Sequence, residues 1–302
     1  MAKKNISVIC AIVKNEQRYI REWADHYLSI GFDKLYVFED FGSQTHSSEL
    51  RELIDSGKVV LTSLSESNVL PHYRKGTHVQ RGLYNYFLDR CKKEYIADWC
   101  GFFDVDEFMM FEDGWDLQKL EEVFSGYGGV LLSWRNFGAN GHVKRPEGKI
   151  VDNYTTHLPD GTKLGGKRDS TEWNVKSLVN VHKATAQRSI HVFNGCRFTD
   201  GREFGKGGMV YCKAWLNHYY SKSWEDYCDR MFARGNMHNN YRCFDLFFKV
   251  SPEFMPRKKE LIESVRYRHT VSTMWISRQM KVISGGNVNR LNELNRQLVY
   301  DR

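Results

Sequence analysis

The sequence lacks the features of a disulfide-built, membrane-spanning or repetitive protein. Its seven cysteines, at 10, 91, 100, 196, 212, 228 and 243, form no C-x-x-C pair and are odd in number. That argues against a disulfide framework or a zinc finger and for a reducing, cytoplasmic setting. No apolar stretch reaches the length of a membrane span. The opening "MAKKNISVICAIVKNE" imitates a secretory leader, but its apolar run covers eight residues and meets Lys14 and Glu16 at once. With no small-residue cleavage site after it, a buried first strand is the better account. No repeat has solenoid or propeller spacing. There is no RNP-like run, and Lys and Arg are dispersed through the first 250 residues. The formal charge of +7 therefore favours anionic partners such as phosphates or acidic glycans, with no nucleic acid expected. "EFGKGG" (203–208) lacks both the GK[ST] of a P-loop and a following helix start, so it reads as a turn.

What is present suits one large α/β domain, alone or with a smaller appendage: 302 residues, 41% hydrophobic and 14% aromatic. "ISVICAIV" is short, apolar and β-branched, and reads as a central strand. The helix after it places Tyr19, Ile20, Trp23, Tyr27 and Leu28 on one face and stops at Gly31. "KLYVF" and "KVVLTS" supply two further strands, 80–93 a second helix, and "WCGFFDVDEF" a fourth strand. That alternation predicts a parallel sheet with helices on its faces, and ligands bind beyond the carboxyl ends of such strands. Asn15, Glu39, Asp40, Asp104 and Asp106 fall at such ends and are expected to converge.

Strand alternation along "FDVDEF" sends Asp104 and Asp106 to one side, with Val105 and Phe108 turned to packing. Close carboxylates repel until one protonates or a cation intervenes. Hard oxygen ligands suit Mg²⁺ or Mn²⁺, which would bridge a diphosphate. An acidic surface turn is the plainer account of a bare D-x-D.

Four blocks in order carry a resemblance. "AIVKNEQRYIREWADHYLSIGFDKLYVFEDFGS" with "WCGFFDVDEF", then "WRNFGANGH", 174–193 and 217–236, resemble family 2 and family 92 glycosyltransferases over about residues 6–240. The resemblance implies a GT-A fold: a mixed, Rossmann-like sheet with helices on both faces. Its donor half would span about 1–115 and its acceptor half about 116–250. It also implies a UDP-sugar donor, a divalent metal and transfer of a hexose, by family tendency galactose, to a glycan hydroxyl with inversion. A cell-surface polysaccharide or a lipid-linked glycan is the acceptor expected. Asp40 or Glu39 resembles the acid that holds uridine, beside Lys14 and Asn15. Asp104 resembles the first motif acid, facing the ribose or reaching the metal through water, and Asp106 the direct metal ligand. His218 in "NHYYSKS" is the preferred third ligand, with His191 the other choice. Lys176 and Lys222 are expected at the diphosphate.

For the acceptor side, Trp134 and Phe137 offer flat apolar faces, and Gly138 and Gly141 allow close backbone approach. His142 and Glu147 are the candidate bases: His142 by its ordinary pKa, Glu147 by the usual preference for a carboxylate. Residues 152–173 read as a loop or insertion that orders with donor. The segment 257–302, with ten Lys or Arg against four acids, reads as a basic helical extension within 251–302. It would pack on the catalytic domain or dock peripherally at the inner face of a membrane. Two competing classes are a D-x-D phosphatase with Asp104 as nucleophile and a non-catalytic carbohydrate- or RNA-binding module.

Overall fold

A computed structural model describes residues 5–41, 43–65, 79–162, 174–185, 187–233 and 244–265. The strands are β1 (Ser7–Val13), β2 (Lys34–Glu39), β3 (Val59–Ser63), β4 (Trp99–Gly101), β5 (Glu107–Phe111), β6 (Gly129–Asn136), β7 (Val175–Asn180), β8 (Cys196–Phe198) and β9 (Ala214–His218). They join in the order β3-β2-β1-β4-β7-β6-β9-β5, with β8 beside β6. The first four strands in that order run parallel, as their spacing with intervening helices predicts. Beyond β4 the sheet changes character: β7 is antiparallel to both β4 and β6, and β5 is antiparallel to β9. The expected mixed α/β sheet with helices is therefore present.

Alternation along β1 explains why both faces are covered. Ile9, Ala11 and Val13 pack with Ile20, Trp23 and Tyr27 of helix α1 (Ile20–Ser29). Val8 and Cys10 pack on the other face with Leu83, Phe87 and Cys91 of a later helix, Val79–Glu94. A strand buried on both faces shows no polar alternation, which is why "VICAIV" (8–13) is apolar throughout.

The one correction to the strand pattern falls on the acidic segment. "WCGFFDVDEF" is not a single strand: β4 ends at Gly101, and β5 begins at Glu107 on the far side of β7, β6 and β9. The chain must cross from the sheet's centre to its edge between them, so strand alternation cannot govern Asp104 and Asp106. Val105 and Phe108 are buried all the same.

The chain forms two compact units, Met1–Phe137 with Gly148–Tyr220, and Gly138–Glu147 with Ser221–Arg302. The boundary expected near 250 lies inside the second unit. That unit contains the helices Trp224–Ala233 and Asp245–Val250, a 3₁₀ segment Pro252–Arg257 and a helical continuation over 258–265. Its core is aromatic, with Trp224 against Phe244, Phe247 and Phe248. Ser223 caps the helix at Trp224, accepting from Asp226 N at 3.0 Å and donating to its carboxylate at 2.6 Å. The helices expected after 265 lie outside the described residues.

Gly129 opens β6 at φ +140, where a Cβ would stand 2.2 Å from the Leu178 carbonyl oxygen. Gly129→Ala should therefore cost about 2–3 kcal/mol, read as a lower urea midpoint at an unchanged slope. A midpoint equal to that of the parent protein would refute this account of β6.

Candidate active site

Between β4 and β5 the acids are set by a turn. Glu107 N donates to the Asp104 carbonyl at 3.0 Å, and Asp104 N donates back to Glu107 Oε2 at 2.9 Å. This closed loop fixes three carboxylates within four residues and sends them in different directions. Asp104 accepts from Lys176 Nζ at 2.8 Å and from Gln80 Nε2 at 3.0 Å. Glu107 is fully buried, with Oε1 3.5 Å from the same ammonium and without a hydrogen bond. Asp106 Oδ1 lies 3.9 Å from His218 Nε2. Lys176, expected at the diphosphate, is thus buried against Asp104 and Glu107.

Burial drives the Glu107 carboxyl well above the usual range; Asp104 and Asp106 add to the rise, and Lys176 opposes it. Burial alone would lower the Lys176 pKa, but Asp104 and Glu107 outweigh it and the net shift is upward. The ion pair that carries the charge is Lys176 with Asp104, because they share a direct hydrogen bond.

His218 is held by its neighbours. Its Nδ1 lies 2.9 Å from Asn136 Oδ1, and its ring stacks on Trp134 with centroids 4.1 Å apart. With the proton on Nδ1 donated to Asn136, Nε2 presents its lone pair toward Asp106, which is how a ligating histidine is usually oriented. The register explains the meeting, since His218 pairs with Asn136 on one side and with Glu107 on the other. Asp106, Glu107 and His218 each bring a ligand atom within 4.8 Å of the others. The unbonded Glu107 Oε1 and the set of two carboxylates and one imidazole fit a divalent cation. The imidazole shifts the preference from Mg²⁺ toward Mn²⁺.

At the same sheet edge, the tips of β1 and β2 gather four of the expected nucleotide residues. Lys14 Nζ donates to the Phe41 carbonyl at 2.7 Å and stands 3.8 Å from Asp40. Asn15 sits at φ +56, and its Oδ1 accepts from Gln44 N at 3.1 Å. Glu39 is committed inward, accepting from His46 N at 2.7 Å and lying 3.0 Å from its Nδ1. His191 is buried with its ring against Trp134.

The acceptor-side residues divide differently. Trp134 and Phe137, expected as sugar platforms, are core: each is more than nine-tenths buried, Trp134 under His218 and Phe137 against Tyr219. Their place near the end of β6 turns both rings into the sheet's packing. His142, Glu147 and Lys222 belong to the second unit. There Glu147 is exposed, His142 half-buried and Lys222 buried at φ +49. Gly138 does meet a close backbone, but it is the Val250 carbonyl, 2.8 Å from where a Cβ would stand. Residues 163–173 of the expected ordering loop lie outside the described residues.

A family model for glycosyltransferase family 92 matches residues 6–242. The chain belongs to glycosyltransferase family 92. Family 92 proteins from Oryza sativa subsp. japonica and Ricinus communis are each 24% identical, over 240 and 232 residues, or 77% and 75% of this chain. The match covers 36% and 37% of their lengths, so the chain spans about a third of these curated relatives. Among solved structures, S. aureus TarS aligns over 81% of this chain and 42% of its own at 9% identity and a TM-score of 0.38. The mannosyltransferase PcManGT from Pyrobaculum calidifontis, in complex with GDP-Man and Mn²⁺, aligns over 44% and 37% at 15% identity and 0.30. No helix among the described residues of this family 92 chain is long and apolar enough to cross a membrane.

Glu107 and Asn136 went unassigned in the sequence. Glu107 follows the D-x-D directly, and its flanks of apolar residues signalled burial. Asn136 gave no signal, because its role exists only through pairing with β9. Since the Glu107 pKa is raised in the folded state, its favourable contribution is complete below the unfolded pKa and disappears as pH rises through the folded one. In chelator, Glu107→Gln should therefore gain thermal stability relative to the parent between pH 5 and pH 8. Parallel melting curves across that range would contradict the assignment.

Proposed function

We propose that this chain is a metal-dependent glycosyltransferase that moves a hexose from a UDP-sugar to a glycan hydroxyl. The observation that carries it is the meeting of Asp106, Glu107 and oriented His218 at the sheet edge where β1 and β2 end. Bound there by those three side chains, a divalent cation would neutralise charge developing on the departing diphosphate. Asn136 keeps the imidazole in the ligating tautomer, and the Trp134 ring fixes its plane. Asp104, tied by Lys176 and Gln80, faces the donor as a fixed acceptor for ribose hydroxyls. Asp40 takes the uridine contact, because Glu39 is held by His46. Lys14 and Asn15 shape that loop.

Galactose as the sugar, inversion, His142 or Glu147 as base and Lys222 at the diphosphate rest on the family resemblance. So do the polysaccharide or lipid-linked acceptor, the cytoplasmic setting and the peripheral membrane contact. The phosphatase alternative is disfavoured by one contact. Its nucleophile would be Asp104, whose carboxylate is paired with a buried ammonium.

A screen of UDP- and GDP-sugars for Mn²⁺-dependent hydrolysis should pick out a UDP-sugar, and Asp106→Asn should lower that rate about 100-fold or more. Asn136→Ala should weaken Mn²⁺ binding about 10-fold in calorimetry, through the loosened imidazole. Full hydrolysis by Asp106→Asn, with its metal dependence intact, would end the proposal.

A further inference from the structure

A fully buried lysine is rare, and Lys176 is one. Its ammonium has no solvent exposure, on a strand whose neighbours Val175 and Ser177 are buried too. Removing such a charge from water is costly unless carboxylates surround it. Here two do, Asp104 at 2.8 Å and Glu107 at 3.5 Å, and both belong to the acidic turn. The two contacts differ in kind. Asp104 receives a hydrogen bond, whereas Glu107 Oε1 lies in the ammonium's field without one. A cation arriving at Glu107 Oε1 therefore breaks no hydrogen bond, and Lys176 keeps its hold on Asp104.

The charge count gives the consequence. With all three acids ionised, as ligation of a dication requires of Glu107, Asp104, Asp106 and Glu107 against one ammonium leave a formal −2, which one dication cancels; without Lys176 the same state would carry −3. We propose that Lys176 is a positioning residue, an internal cation that holds the acidic turn folded without divalent metal and competes with that metal for Glu107. This rests on the reading that Asp106, Glu107 and His218 bind the metal. Lys176 thus exchanges metal affinity for a site already shaped before metal arrives. Its buried alkyl stem, from β7 beside Leu132 of β6, fixes where that charge sits.

The test uses the full chain as the parent protein, Lys176→Met and the double variant Lys176→Met/Asp104→Asn. Melting temperatures are taken in chelator and in saturating Mn²⁺, and Mn²⁺ dissociation constants by calorimetry. Lys176→Met should melt about 10 °C lower in chelator, recover more of that loss with Mn²⁺ than the parent gains, and bind Mn²⁺ about five-fold more tightly. The double variant, again at −2, should regain most of the chelator melting temperature and bind Mn²⁺ near the parent's affinity. Unchanged or weaker Mn²⁺ binding by a folded Lys176→Met would overturn the inference. So would equal failure of both variants to fold, with and without Mn²⁺, since Lys176 would then be needed for packing alone. A parent protein with neither Mn²⁺ binding nor a Mn²⁺-induced rise in melting temperature would instead overturn the metal site beneath it.

Discussion

Like charges do not gather inside a protein without an opposing one, and this fold is arranged around that constraint. Asp104, Asp106 and Glu107 stand in a single turn, closed by two hydrogen bonds between its first and last residues. Lys176 reaches the turn from β7, a strand far away in sequence but antiparallel to β4. Each acid is then directed separately: Asp104 to the lysine, Glu107 into the interior and Asp106 toward His218. A turn built this way is folded before any ligand is bound.

The topology explains why the partners come from so many places. A parallel sheet brings the tips of β1, β2 and β4 to one edge, as open α/β sheets do. The switch to antiparallel pairing beyond β4 delivers the start of β7, the ends of β6 and β9 and the start of β5 to that same edge. His218, Asn136 and Glu107 are cross-strand neighbours, although 82 residues separate the first two. Their mutual alignment is fixed by ladder register, so the imidazole's direction follows from backbone pairing. Trp134 reinforces it from the same face of β6, and for that reason cannot also serve as an open platform for a sugar.

Much of this was legible in the chain itself. The doubly buried first strand, the amphipathic helix after it and the parallel run of four strands follow from apolar periodicity, which reports which faces must leave water. The acids at the strand ends and the aromatic strand bearing His218 were visible as residues out of keeping with their apolar surroundings. The direction of Asp104 was not, because alternation assumes a continuous strand and the chain here crosses three others. The burial of Trp134 and Phe137 was hidden too: an aromatic residue looks the same in sequence whether it faces a sugar or a neighbouring strand.

The sequence by itself determined the first strands and the helices packed beside them, and that carboxylates would stand at or just after the ends of β2 and β4. Those are local properties, set by side-chain chemistry and spacing. Tertiary structure alone decided that Lys176 is an interior counter-charge, that Glu107 joins Asp106 and His218, and that Asn136 aims the imidazole. Each depends on contacts between residues at least 70 positions apart in the chain or on antiparallel registers. No local pattern records a distance across a sheet.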